Sequence, residues 1–173
     1  FYVNQQRVEG LGRVGAGDAA VADELGTIFA NPAGLTEIWE GDAQPTRMSI
    51  GAHLIIPRNK LRNTGSTASG PGTGFTALPY PGANARNSTD PTPIPNVYWA
   101  RVVTPGRLMV GAGINAPFGL ATKLDSAWFG RYDSIEAALR TVNLSAVGAY
   151  KFDAGLSLGG GIDLQYANSR LVT

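Results

Sequence analysis

Five stretches of this chain alternate with a period of two, and that pattern restricts the fold more than any other feature. Met48, Ile50, Ala52, Leu54 and Ile56 alternate with Arg47, Ser49, Gly51, His53 and Ile55, and Pro57 ends the run. A second stretch covers about Asn96–Thr104, with Tyr98, Ala100 and Val102 opposing Trp99 and Arg101. The turn Thr104-Pro105-Gly106-Arg107 leads into a third, where Leu108, Val110, Ala112, Ile114 and Ala116 oppose Met109, Gly111, Gly113 and Asn115. The fourth runs about Thr141–Lys151, and the turn Phe152-Asp153-Ala154-Gly155 leads into the fifth. There Leu156, Leu158, Gly160, Ile162, Leu164 and Tyr166 oppose Ser157, Gly159, Gly161, Asp163 and Gln165.

The connections run long, short, long, short, the long ones at about 58–95 and 117–140. Outer-membrane barrels pair short periplasmic turns with longer extracellular loops and use strands of about 10 residues. A soluble lipocalin-like barrel or sandwich is the alternative, with its apolar faces turned inward. Alternation alone does not say which face is wet. Asn115, Asp163 and Gln165 share faces with Gly and Ser, which suits a polar lumen better than a close-packed core. Charged residues are 16%, against about 25% in soluble domains. No run of about 18 apolar residues offers a membrane-spanning helix. The expected class is therefore all-β: a transmembrane antiparallel β-barrel.

Composition also excludes chemistry. There is no cysteine and one histidine, so no disulfide, thiolate or multi-histidine metal site. A net charge of +1 gives no case for nucleic acid. No cofactor is expected. The chain starts at Phe1, so either a leader has been removed or it starts inside a longer protein.

The N-terminal part differs. Residues 1–9 are mostly polar and read as extended. Gly10–Gly34, GLGRVGAGDAAVADELGTIFANPAG, is rich in Gly and Ala. Val21, Leu25, Ile28 and Phe29 fall at helical spacing, with Asp18 as a cap and Gly26 as a stop. Asn31 precedes Pro32 and is expected to be extended. Thr36–Trp39 reads as one more helical turn, ending at Gly41. Gly10, Gly12 and Gly15 match GxGxxG, but Asn4–Glu9 is too polar for the buried strand that a dinucleotide site needs.

These segments carry a resemblance. GLGR, GDAAVAD and NPAG, in order, look like the N-terminal plug of the FadL-type outer-membrane transporters for long-chain fatty acids and other hydrophobic compounds. GAGINAPFGLATKL, Trp128-Phe129-Gly130-Arg131 and TVNLSAVGAYKFDAGLSLGGGIDLQYA look like the family's third to fifth strands. The resemblance implies a plug over residues 1–42 and the first strands of a 14-stranded barrel over 43–173. The chain would then be an N-terminal fragment, since five strands would leave open edges in lipid. It also implies that Phe1 and Val3 reach a ligand pocket. Asn31, Pro32 and Ala33 would belong to the gate, and Gly113, Asn115, Pro117, Phe118 and Gly119 to a bent third strand that opens a side exit. A frayed terminus and an ordinary strand end are the competing readings.

Trp128, Phe129 and Tyr132 flanking Arg131 offer a greasy surface with a cation for a carboxylate head group, or else an aromatic girdle or loop packing. His53 has Ser49 and Gly51 on its face, too little for a serine–histidine hydrolase. Asp18, Asp23 and Glu24 lack the loop of a calcium site. Asn87-Ser88-Thr89 fits a glycosylation pattern that is accidental in a bacterium. The reading is therefore a channel, not an enzyme, in the outer membrane of a Gram-negative bacterium. It would sit among bilayer lipid and lipopolysaccharide, monomeric when complete, and admit long-chain fatty acids passively. An aromatic-hydrocarbon channel and a non-transporting structural barrel are the alternatives.

Overall fold

The computed structural model describes residues 6, 12, 16, 17, 19–39, 45–69, 76–79 and 82–173. Two single-turn helices, α1 (Thr27–Ala30) and α2 (Leu35–Ile38), flank a 3-10 turn at Pro32–Gly34. Asn31 is extended as expected, at φ −158° and ψ 92°, and breaks the helical path before Pro32. Thr27 Oγ1 donates to the Asn31 carbonyl at 2.7 Å, which also accepts from the Gly34 N–H at 2.9 Å. The helical stripe is shorter than its spacing suggests. Gly26 precedes α1 instead of stopping it, and Val21 lies outside the helix and exposed. Turns and bends, not a helix, carry the chain through residues 19–26. Asp18 lies outside the described residues.

Ten strands follow: β1 (Thr46–Ile55), β2 (Lys60–Leu61), β3 (Thr67–Ala68), β4 (Leu78–Pro79), β5 (Ala85–Arg86), β6 (Thr92–Thr104), β7 (Leu108–Asn115), β8 (Gly119–Lys123), β9 (Glu136–Lys151) and β10 (Ser157–Val172). The long ones form one sheet in the order β1-β6-β7-β9-β10, with β8 paired to β9. The ladders β6–β7 and β7–β9 are antiparallel. Short ribbons β2–β5 and β3–β4 occupy the first long connection.

Three strands outrun their apolar alternation. β6 begins at Thr92 rather than Asn96, β9 at Glu136 rather than Thr141, and β10 continues past Tyr166 to Val172. The extra residues on β9 and β10 include Glu136, Arg140 and Arg170. A ladder that leaves the hydrocarbon layer still pairs its backbone, but no longer needs an apolar outer face.

Burial settles which face is which. Tyr98 and Ala100 on β6, Met109 on β7 and Ala149 on β9 are buried under Leu25, Ile28, Leu35, Ile38 and Trp39. The opposite face is bare and apolar: Ile50 is 71% exposed, Leu158 66% and Ile162 77%. A water-soluble sandwich would bury that face.

Two units divide the chain, Phe1–Leu54 with Pro93–Gly119 and Arg140–Ala167, and Ile55–Thr92 with Leu120–Leu139 and Asn168–Thr173. The first holds the core just described. The second has its own, of Ala85, Leu124 and Trp128 with Leu61 and Phe129 packed against it. Asn87 ties this unit together: its Oδ1 accepts from the backbone N–H of Lys123 at 2.9 Å and its Nδ2 donates to the Ala121 carbonyl at 3.3 Å. The glycosylation pattern at Asn87 is thus spent on internal hydrogen bonds.

Ile162→Arg, on the bare face, should destabilise the full-length protein in a bilayer by about 2–4 kcal/mol if that position lies near the midplane. Gln165→Arg, on the other face of the same strand, should cost under about 1 kcal/mol. Reversible unfolding from liposomes measures both.

Candidate functional site

The helical turns lie close on the sheet because the facing positions have almost no side chain. A Cβ on Gly159 would stand 2.2 Å from the Ala33 nitrogen, and one on Gly111 2.9 Å from Ile28 Cδ1. Tyr98 fills the space over Gly113, where a Cβ would stand 2.8 Å from its ring. Polar contacts then hold α2 across three strands. The Thr36 and Ser157 hydroxyls are 2.8 Å apart, Lys151 Nζ meets Glu37 Oε1 at 3.2 Å, and the Arg47 guanidinium lies 5.3 Å over the Trp39 ring. Asn31 Nδ2 donates to the Ala19 carbonyl at 2.8 Å, so Asn31 braces the preceding turn.

The third long strand is broken. β7 stops at Asn115 and β8 starts at Gly119, yet both pair with β9, so Ala116–Phe118 interrupts one path along the sheet. On the β6 side the ladder ends at Val97↔Ile114. Continuing that register would set Pro95 opposite Ala116 and Ile94 opposite Pro117. Pro93, Pro95 and Pro117 have no N–H to give, so the ladder cannot continue.

Side chains take over the freed backbone groups. Thr141 Oγ1 accepts from the Phe118 N–H at 3.0 Å and donates to its carbonyl at 2.6 Å. Gln6 Nε2 donates to the Ala116 carbonyl at 3.2 Å. The Tyr98 hydroxyl donates to the Gln6 carbonyl at 2.7 Å and accepts from Asn115 Nδ2 at 3.2 Å. Gln6, Tyr98 and Asn115 are all buried. The break is therefore covered by a residue from the start of the chain.

A family profile described as outer membrane protein transport protein (OMPP1/FadL/TodX) matches residues 1–173. The chain belongs to this family. The FadL-type chain is 30% identical over 171 residues to outer membrane protein P1 of Haemophilus influenzae, covering 99% of itself and 37% of that protein. It is 30% identical over 171 residues to the long-chain fatty acid transport protein of Escherichia coli O6:H1, covering 99% of itself and 34% of that protein. It therefore spans about a third of the length of these curated relatives. The crystal structure of a Pseudomonas aeruginosa FadL homologue shares its fold at a TM-score of 0.74 and 21% identity, covering 99% of this chain and 38% of that one. The family is one of transport proteins, not enzymes, and its outer-membrane members place the chain in the outer membrane of a Gram-negative bacterium.

Within this FadL-family chain the expected gate residues fall in two places of the first unit. Pro32 and Ala33 press on Gly159, with Asn31 behind them. Gly113, Asn115, Pro117, Phe118 and Gly119 line the approach to the break and the break itself. Phe1 and Val3 lie outside the described residues. Trp128, Phe129 and Arg131 belong to the second unit. Trp128 is buried there, its Nε1 donating to the Ser134 carbonyl at 2.9 Å. Phe129 meets its ring edge-on at 5.0 Å, and the Arg131 guanidinium lies 4.7 Å over the exposed Tyr132 ring.

Sequence reading singled out neither Gln6 nor Thr141, and it did not single out the network of Asn143, Ser145 and Asp163. Asn143 Nδ2 and Ser145 Oγ both donate to Asp163 Oδ1, across β9 and β10. For Thr141 a signal existed: a hydroxyl stands at a lumen-facing position that the antiparallel register brings level with the Pro117 break. His53 sits on the inner face of β1 with both ring nitrogens buried and unpartnered among the described residues. No group of three His, Cys, Asp or Glu side chains gathers among the described residues.

Gly159→Val should force the Pro32–Ala33 turn off the sheet and cost about 1–3 kcal/mol, seen as a lower unfolding temperature of the full-length protein. Thr141→Val keeps the shape but strips both hydrogen bonds from Phe118, at a cost of about 1–3 kcal/mol. Faster amide exchange confined to 116–120 would identify its effect.

Proposed function

We propose that the protein containing this chain is an outer-membrane channel for passive uptake of hydrophobic compounds, long-chain fatty acids first among them. Residues 1–42 act as its plug and 43–173 begin its wall. The observation that carries this reading is the interrupted third strand, whose freed Ala116 carbonyl is covered by Gln6 from the N-terminal segment. Ladder bonds join most of this wall; at this place Thr141 of the wall holds Phe118, and the Ala116 carbonyl depends on one residue of a separate segment. The name of the Escherichia coli relative supports fatty acid as the cargo.

In this reading a greasy ligand meets the surface at Arg131 and Tyr132, over the packed Trp128 and Phe129, and enters the lumen. Phe1 and Val3 reach it there. The N-terminal segment withdraws, Gln6 leaves Ala116, and the ligand exits beside Pro117, Phe118 and Gly119. Asn31–Ala33 hold the rest of the plug against β10, so the movement is confined to the residues before them. Flow is downhill in this reading. No catalytic step is involved.

Uptake of labelled oleate tests this in cells that lack their own fatty acid transporter and carry the full-length gene. Wild type should restore uptake. Deleting residues 1–9 should change the rate at least about tenfold with the barrel still inserted. Toluene uptake without oleate uptake would make the cargo an aromatic hydrocarbon. Neither uptake from an inserted barrel would leave a structural barrel.

A further inference from the structure

The β2–β5 ribbon carries cations that nothing in the channel reading uses. Lys60 stands directly across the ladder from Arg86, and Leu61 across from Ala85. The Asn87 N–H donates to the Asn59 carbonyl at 2.9 Å, which makes 59 and 87 a hydrogen-bonded pair. Lys60 and Arg86 are therefore a non-hydrogen-bonded pair, the kind that brings side chains closest. Like charges placed so are destabilising. Strand alternation adds Arg58 and Arg62 to the same side, and all four cations are exposed. The other side of the ribbon is fixed, since Leu61 and Ala85 pack with Trp128. Among the described residues none of the four cations has an ion-pair partner. At the Arg62 end the ribbon opens on a concavity of about 700 Å³ lined by Asn63, Ser66, Pro79, Gly82 and Asn84.

Seven Lys and Arg face four Asp and Glu in this second unit, whereas acids outnumber bases in the first. The positive charge is thus concentrated in the long connection, which outer-membrane barrels place on the extracellular side. That side borders the lipopolysaccharide leaflet, whose headgroups bear several phosphates. Residues 58–62 span about 13 Å of extended chain, too long for one carboxylate and well matched to two or more phosphates.

We propose that Arg58, Lys60, Arg62 and Arg86 form a docking surface for the phosphorylated headgroup of lipopolysaccharide. The anion relieves the Lys60–Arg86 repulsion, and the ribbon is held at the lipid surface as a result. The inference is independent of what the channel carries.

The test uses full-length protein purified in detergent, with bis-phosphorylated lipid A, the same lipid A dephosphorylated, and oleate as probes. Wild type should bind the phosphorylated form far more tightly than the dephosphorylated one, and the preference should fall as salt rises. R58S/K60S/R62S/R86S should weaken it about a hundredfold and leave oleate binding unchanged. Lys60→Glu guards against misfolding, because it pairs with Arg86 and keeps the ribbon while halving the site's positive charge. It too should bind phosphorylated lipid A more weakly. Equal binding of both lipid A forms would overturn the proposal. So would unchanged binding by K60E, or a loss confined to oleate.

Discussion

A wall that stands in hydrocarbon must satisfy every backbone N–H and C=O from within the protein. Most of this sheet meets the requirement through ladder bonds. The stretch Ala116–Phe118 does not, because Pro93 and Pro95 on β6 and Pro117 within the stretch remove the donors that the register would need. The structure meets the requirement there with side chains. Thr141 supplies a donor and an acceptor to Phe118, and Gln6 supplies a donor to Ala116. Side-chain bonds of this kind are individually weak in net terms, near 1 kcal/mol. Lost without replacement, they leave buried polar groups at a larger cost. The break is therefore stable only while these side-chain bonds are kept.

The same requirement shapes what the short helices rest on. The sheet turns Gly, Ala and Ser inward, and the short helices press their own backbone against them. No long helix is needed. Two single turns separated by Asn31-Pro32 follow the curve of the surface more closely than one rod would. The bulky residues that a soluble protein would keep for its core are spent on the outer face, against lipid. That exchange explains a low charge content together with a small internal cluster built around Ile28, Leu35, Tyr98 and Met109.

The outer connections follow a different logic. They form their own core around Trp128 and place their cations outward. Trp128 and Phe129 serve packing there, while Arg131 and Tyr132 remain at the surface. The contact from Arg131 Nη1 to the Trp128 carbonyl at 3.4 Å is long for a strong bond.

Much of this was legible in the residues. Period-two alternation located the long strands, because side chains on a pleated strand must point alternately to two environments. The Pro-Gly turn and the prolines at 93, 95 and 117 act locally through missing donors and a restricted φ, so they too can be read from sequence. The helical spacing of Val21 to Phe29 misled, because spacing records which residues are apolar and not whether the chain coils between them. Tertiary structure alone decided which face of the sheet is covered. It also decided that Gln6 reaches Ala116, that Asn87 organises its loop, and that Lys60 confronts Arg86. Each of these joins residues far apart in the chain. Sequence periodicity carries no register across such distances; only the closing of the sheet and the loops supplies it.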